Sequence, residues 1–209
     1  MGFLLLLATA ALAALLLLAP FTLVVNLLPL QRLVLHAVGT TAGSNAHFTT
    51  PEAIRRVSDL LLYLAIRRPL PNDGFYSAVE LVHMADVQSI FQLVYGVTAA
   101  ALLASLVLLP VLHRRHQDLR RTGRAAAGIV LGLIALLGIL LATAGFDRIF
   151  IVFHEFAFAN DFWLLPETSS LIQLFPEQYF MTYFLLALCG SVLAAVCLLL
   201  PWHRHGTRF

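Results

Sequence analysis

The chain has 209 residues, 60% of them hydrophobic and only 11% charged, with a mean hydropathy of +0.89. Soluble domains carry roughly 25% charged residues, and a soluble globule of this size has no means of hiding so much apolar surface. A soluble enzyme and a disordered chain are excluded, which leaves one integral membrane domain covering residues 1–209.

Four apolar runs are long enough to cross a bilayer as helices, which takes about 20 residues. The first covers about residues 3–28 and lacks the basic leader and short core of a signal peptide, so it reads as a retained span. The second covers about 90–112, the third 125–146 and the fourth 179–200. Helices follow because lipid offers backbone N–H and C=O groups no partner. The fold expected is all-α, a polytopic membrane protein with four transmembrane helices and helical extracytoplasmic segments between helices 1–2 and 3–4. Residues 51–68 look helical and suit a lid or lateral entrance along the membrane surface. In the third run, Gly128 and Gly132 form a small-xxx-small pattern that reads as close helix packing.

Arginine sets the orientation. Residues 113–124 hold Arg114, Arg115, Arg120, Arg121 and Arg124, and the tail 201–209 adds Arg204 and Arg208; against these stands Asp118 alone. The connections 29–89 and 147–178 hold six Arg and ten acids. Segments 113–124 and 201–209 and both termini are therefore expected in the cytoplasm, and the two long connections outside.

Cys189 and Cys197 both fall in the fourth run, about 12 Å apart along a helix and too distant for a disulfide; they read as packing residues. Among the histidines, His113, His116, His203 and His205 sit with the cytoplasmic Arg, and His36 and His47 have no telling neighbourhood. His83 lies just before the second run. If that helix begins early, Glu80 and Asp86 flank it on the same face, and a carboxylate beside an imidazole fixes its tautomer. His154 lies in an aromatic stretch that also carries Asp147, Arg148, Glu155, Asn160, Asp161 and Trp163. Polar groups in such a belt need partners. Spacing alone leaves open a solvated helix start around His83 and an interfacial anchor around His154.

Familiar motifs are missing. The zinc-protease pattern begun by His154-Glu155 fails at Phe158; no Gly-x-Ser-x-Gly elbow and no phosphate loop exist, and nothing suggests nucleic acid. What survives is a histidine acid/base site at the outer interface, with or without a metal.

Two segments carry a family resemblance. One is Glu80-x-x-His83-Met84-x-Asp86-Val87. The other is Phe146-Asp147…Phe153-His154…Asn160-Asp161-x-Trp163-x-x-Pro166-Glu167…Leu171-Ile172…Phe175-Pro176-Glu177-x-x-Phe180. Both resemble the bacterial lipoprotein intramolecular transacylase (Lit) family of small four-span proteins. Two positions depart from the family pattern: Gln88 stands where Lys is expected, and Thr168-Ser169-Ser170 is less acidic than usual.

The resemblance implies a reaction and a place for it. The sn-2 acyl chain of a diacylglyceryl-modified lipoprotein moves to the α-amine of its N-terminal cysteine, giving an N-acyl, S-monoacylglyceryl (lyso-form) lipoprotein. The enzyme is an acyltransferase of the bacterial cytoplasmic membrane, acting on lipoproteins amid membrane lipid, with no cofactor and no metal. The resemblance points to His83 and His154 as the catalytic pair. On that footing His83 is expected as base and His154 as acid or electrostatic partner, an assignment the sequence leaves open to exchange, with Glu80, Asp86 or Asp161 orienting an imidazole. Arg148 and Asn160 are candidate oxyanion donors by type and location, and Asp147 and Trp163 are supporting positions in the same block. Two other readings remain. One is a zinc-dependent membrane hydrolase built on His83, His154, Asp86 and Asp161; the other is a non-enzymatic membrane subunit.

Overall fold

The structure, a computed structural model, describes residues 1–38 and 50–200. Among these, all regular structure is α-helical: α1 (Gly2–Asn26), α2 (Leu28–Val38), α3 (Thr50–Ile66), α4 (Ala78–Arg114), α5 (Leu119–Ala144), α6 (Phe146–Ala157), α7 (Ser170–Leu174) and α8 (Glu177–Leu199). Helices α1, α4, α5 and α8 are each long and apolar enough to cross a membrane, and each contains most of one of the four apolar runs. The protein is a multi-pass membrane protein. His47, His203, His205, Arg204 and Arg208 lie outside the described residues.

Helix α1 is the hub of the bundle, with α4, α5 and α8 all packed against it and α5 also against α8. Small side chains allow the approach. Ala126, Ala127, Val130 and Ala195 are buried together with Leu16. Gly190 of α8 meets Pro20 of α1 so closely that a Cβ on Gly190 would stand 2.9 Å from the proline Cβ. Large apolar side chains such as Leu93, Leu103, Leu133 and Leu193 point outward, as expected where lipid is the solvent. Gly128 and Gly132 correct the packing expectation: both are exposed, with open space where a Cβ would sit. Helix α5 turns Ala126, Ala127 and Val130 inward, which puts the glycines on the opposite face.

Helix boundaries differ from the apolar runs where capping overrides hydropathy. Helix α4 starts at Ala78 because Ser77 and Glu80 form a reciprocal capping box. Its 37 residues reach about 55 Å, well beyond the roughly 30 Å hydrocarbon core, so hydropathy registers only part of it. Helix α5 starts early because the Asp118 carboxylate accepts the Arg120 and Arg121 N–H groups, which makes most of the basic stretch helical. After Ala144, Gly145 takes φ 81°, a left-handed region open to glycine at little steric cost. The chain turns there, and α6 leaves the axis of α5.

At the end of the bundle away from Arg114–Arg124, a second core forms a cap. Val34 and Leu35 of α2 and Ala53, Val57, Leu60 and Leu64 of α3 pack with Met84 of α4, Leu171 and Leu174 of α7, Phe175, and Tyr179 and Tyr183 of α8. Helix α3 is pinned at both ends. Arg56 is paired with Asp73 at 2.8 Å and lies over the Phe75 ring. The amides of Gln88 and Gln92 donate to the last carbonyls of α3, Tyr63 at 2.7 Å and Leu64 at 2.6 Å. Gln88, a departure from the family pattern, thus serves as a cap for the α3 C-terminus, where orphan carbonyls need donors. Helix α3 is packed as a wall of the cap.

Candidate active site

His83 stands in the second turn of α4 and His154 near the end of α6. Both are buried, at 9% and 8% exposure, among neighbours such as Val82 and Phe153 that are open to the surroundings. The two histidines, distant in sequence, come together with ring centroids 6.1 Å apart. The turn at Gly145 aims α6 across the end of the bundle, and the capping box carries α4 far enough to meet it.

Aromatic rings enclose the pair. Phe158 lies 5.1 Å from the His83 ring and 5.4 Å from the His154 ring. Phe150 and Trp163 lie 4.1 and 5.0 Å from His154. Such walls exclude water, and polar interactions between them strengthen accordingly.

The two imidazoles are held differently. His154 Nδ1 lies 2.7 Å from the Phe150 carbonyl oxygen. A carbonyl only accepts, so Nδ1 carries the hydrogen and Nε2 the lone pair. Burial pushes the His154 pKa below the ordinary histidine value, while the Phe150 bond works in the other direction. The ring is therefore neutral at physiological pH. His83 Nδ1 is buried with no hydrogen-bond partner.

The other expected site residues fall into three groups. Glu80 is 2% exposed, and its carboxylate accepts the N–H of Ser77 at 2.7 Å and of Leu171 at 2.8 Å. It ties the start of α4 to the start of α7, and no hydrogen bond joins it to His83. Asp86 accepts from Asn160 Nδ2 at 2.9 Å, and Asn160 Oδ1 accepts the Phe162 N–H at 3.1 Å. The Asn160 amide expected for an oxyanion is thus engaged with Asp86. Asp147, in the first turn of α6, faces the Glu177 carboxyl. Arg148 is exposed and points about 120° round the helix from His154. Asp161 is also exposed, and among the described residues no hydrogen bond joins either to the histidines. Among the described residues, no three His, Cys, Asp or Glu side chains converge as a metal site.

Sequence reasoning missed Phe150 and Phe158. Phe150 carried a usable signal, since a residue four positions before a histidine on a helix offers its carbonyl to that side chain. Phe158 carried none, because its contact with His83 exists only across the fold.

Fold and site together define a class: a four-span membrane enzyme with a buried, aromatic-walled histidine pair at one end of its bundle. The family described as Lipoprotein intramolecular transacylase Lit matches residues 5–180, and the chain belongs to that family. Among solved structures, it is similar to the membrane-integral lipoprotein intramolecular transacylase Lit from Bacillus cereus. The identity is 18%, over 95% of this chain and 92% of that one, with a TM-score of 0.83. Two structures of the same protein with a histidine replaced also match, by arginine at 18% identity and by alanine at 19%, each with a TM-score of 0.75. They cover 95% of this chain, and 88% and 90% of those chains. At these identities the likeness concerns the fold. A search of curated proteins finds no significant match.

Proposed function

We propose that this protein transfers the sn-2 acyl chain of a diacylglyceryl-modified lipoprotein to the α-amine of its N-terminal cysteine, with His83 and His154 as the catalytic pair. The observation that carries the proposal is the burial of two imidazoles side by side, their ring centroids 6.1 Å apart, with no serine or cysteine nucleophile motif in the sequence. A reaction whose substrate supplies both amine and ester needs no protein nucleophile. It needs proton transfer and positioning, and buried histidines among rigid aromatic walls suit both.

The proton moves as follows. The amine nitrogen attacks the ester carbonyl and closes an eight-membered ring through the cysteine and the glyceryl group. His154 Nε2, which holds the lone pair, takes the proton released by the nitrogen and returns it to the departing sn-2 oxygen. The C–N bond forms, the ester C–O bond breaks, and His154 ends neutral as it began. His83 stays neutral throughout. A buried orphan acceptor is more common than a buried orphan N–H, so its Nδ1 is assigned the lone pair and its Nε2 the hydrogen. That hydrogen is then available to the developing oxyanion, a role whose removal costs about 10²–10³-fold in rate in acyl-transfer enzymes. The bond to the Phe150 carbonyl favours this division of labour over the exchanged one, between which the sequence does not choose.

The basic stretch Arg114–Arg124 supports a cytoplasmic placement for that end of the bundle and for both termini. The histidine pair then opens to the extracytoplasmic leaflet, where a mature lipoprotein presents its lipidated cysteine. The test is coexpression of alanine variants with a diacylated lipoprotein, reading the N-terminal lipid by mass spectrometry. His83→Ala and His154→Ala should each abolish lyso-form product while the protein remains folded and in the membrane. Lyso-form product from both variants would refute the proposal.

A further inference from the structure

Spacing on α4 makes Asp86 a natural orienter for His83, yet its carboxylate accepts from Asn160 instead. Asn160 sits in the segment that leaves α6 and carries two of the rings around the pair, Phe158 and Trp163. The other hydrogen bonds within that segment are local: Phe158 N–H to His154 O, Phe162 N–H to Asn160 Oδ1, Leu164 N–H to Asp161 O and Leu165 N–H to Trp163 O. Among the described residues, Asn160–Asp86 is the one hydrogen bond from residues 158–166 to α4. Phe158 is buried and Leu165 packs against the cap core, but Phe162 and Leu164 between them are exposed, so little apolar burial holds the middle of the segment.

We propose that the Asp86–Asn160 hydrogen bond is a latch that holds the aromatic segment 158–166 over the histidine pair, so that Asp86 acts on the site through the position of that segment. Asn160 is the hinge of this device, because its carbonyl orders Phe162 while its amide reaches α4. When the latch is shut, Phe158 stays packed beside both imidazoles and Trp163 against His154. When it opens, the wall over the site is free to move and a lipid-bearing substrate gains room. Both residues are positioning residues. The activity arm of the test rests on the transacylase reading; the structural arm does not.

The chemistry of the pair allows a swap. Asp86→Asn keeps a carbonyl oxygen that accepts from Asn160 and removes the charge. Asn160→Asp sets two carboxylates against each other and breaks the latch. Asp86→Asn combined with Asn160→Asp restores a donor facing an acceptor, and the new carboxylate still receives the Phe162 N–H. The experiment measures hydrogen–deuterium exchange of residues 158–166 and acyl transfer in parallel, in the full-length protein in lipid nanodiscs. Asn160→Asp should speed exchange in that segment and slow transfer by about tenfold or more, because small misplacements of reacting groups are costly. The swapped pair should restore slow exchange and recover most of the transfer rate, and Asp86→Asn should cost less than Asp86→Ala. If the swap leaves exchange fast, the latch does not exist. If exchange is restored and transfer is not, Asp86 acts through its charge and the proposal fails. If instead the transacylase reading fails, exchange alone still decides the latch.

Discussion

Replacing Glu80 by Ala removes the acceptor of two backbone N–H groups, Ser77 at 2.7 Å and Leu171 at 2.8 Å, from a position 2% exposed. Each buried donor left without a partner costs about 1–3 kcal/mol, and bonds to a carboxylate lie toward the upper end of that range. The carboxylate also sits at the N-termini of α4 and α7, where negative charge is favoured. The summed loss for Glu80→Ala is about 4 kcal/mol, a large share of the roughly 5–15 kcal/mol that holds a typical domain together. Glu80→Gln keeps the shape and one acceptor oxygen, but turns an NH₂ group toward the other N–H. Its cost is about half as large, roughly 2 kcal/mol. Thermal unfolding of the purified protein in one detergent should therefore rank wild type above Glu80→Gln and Glu80→Ala last. Transfer per folded molecule, measured below both transitions, should fall less than about tenfold in the Gln variant, since no hydrogen bond joins Glu80 to His83. The reasoning is refuted if Glu80→Gln unfolds at the wild-type temperature yet has lost transfer entirely.

Two further outcomes follow from the geometry. Burial pushes the His154 pKa below the usual value, and in the proposed mechanism the neutral ring is the base. The enzyme's own contribution to rate should therefore persist below about pH 6.5 and be lost only as pH falls through that depressed pKa. The substrate amine adds a second limb near its ordinary pKa of about 8, so transfer should rise with pH to a plateau above that value. A pH–rate profile with transfer falling as pH rises from about 6 to 8 would mean that an imidazolium is the working form. In the bundle, Gly190→Ala places a Cβ 2.9 Å from the Cβ of Pro20, against a rigid ring on a packed helix. Thermal unfolding should show a loss of about 1–3 kcal/mol, partly recovered when Pro20→Ala is added; unchanged stability would show that α1 and α8 are packed more loosely.

The four helices crossing the bilayer were legible because hydropathy is a running sum over adjacent residues, and lipid demands an unbroken apolar stretch. The start of α4 was legible only in part. The Ser77/Glu80 capping box is a local pattern, but Glu80 was read as a neighbour of His83 because it lies one turn away on the same face. Proximity on a helix does not say which donor a carboxylate meets, and here the donors come from the backbone of Ser77 and from Leu171, far along the chain. Asn160 was read by type as an oxyanion donor, while its actual partner lies on another helix. The glycines of α5 were read as a packing stripe, but which face of a helix turns inward is set by its neighbours.

By itself, then, the sequence determined the solvent, the number of apolar runs, the excess of arginine on one side and the residue types able to move a proton. These follow from composition and spacing, which act over a few residues. Only the tertiary structure decided that His83 and His154 share one aromatic enclosure, that a backbone carbonyl selects the tautomer of His154, and that the Asp86 carboxylate meets Asn160. Each depends on the turn at Gly145 and on the packing of α4 against α1, which bring distant segments together.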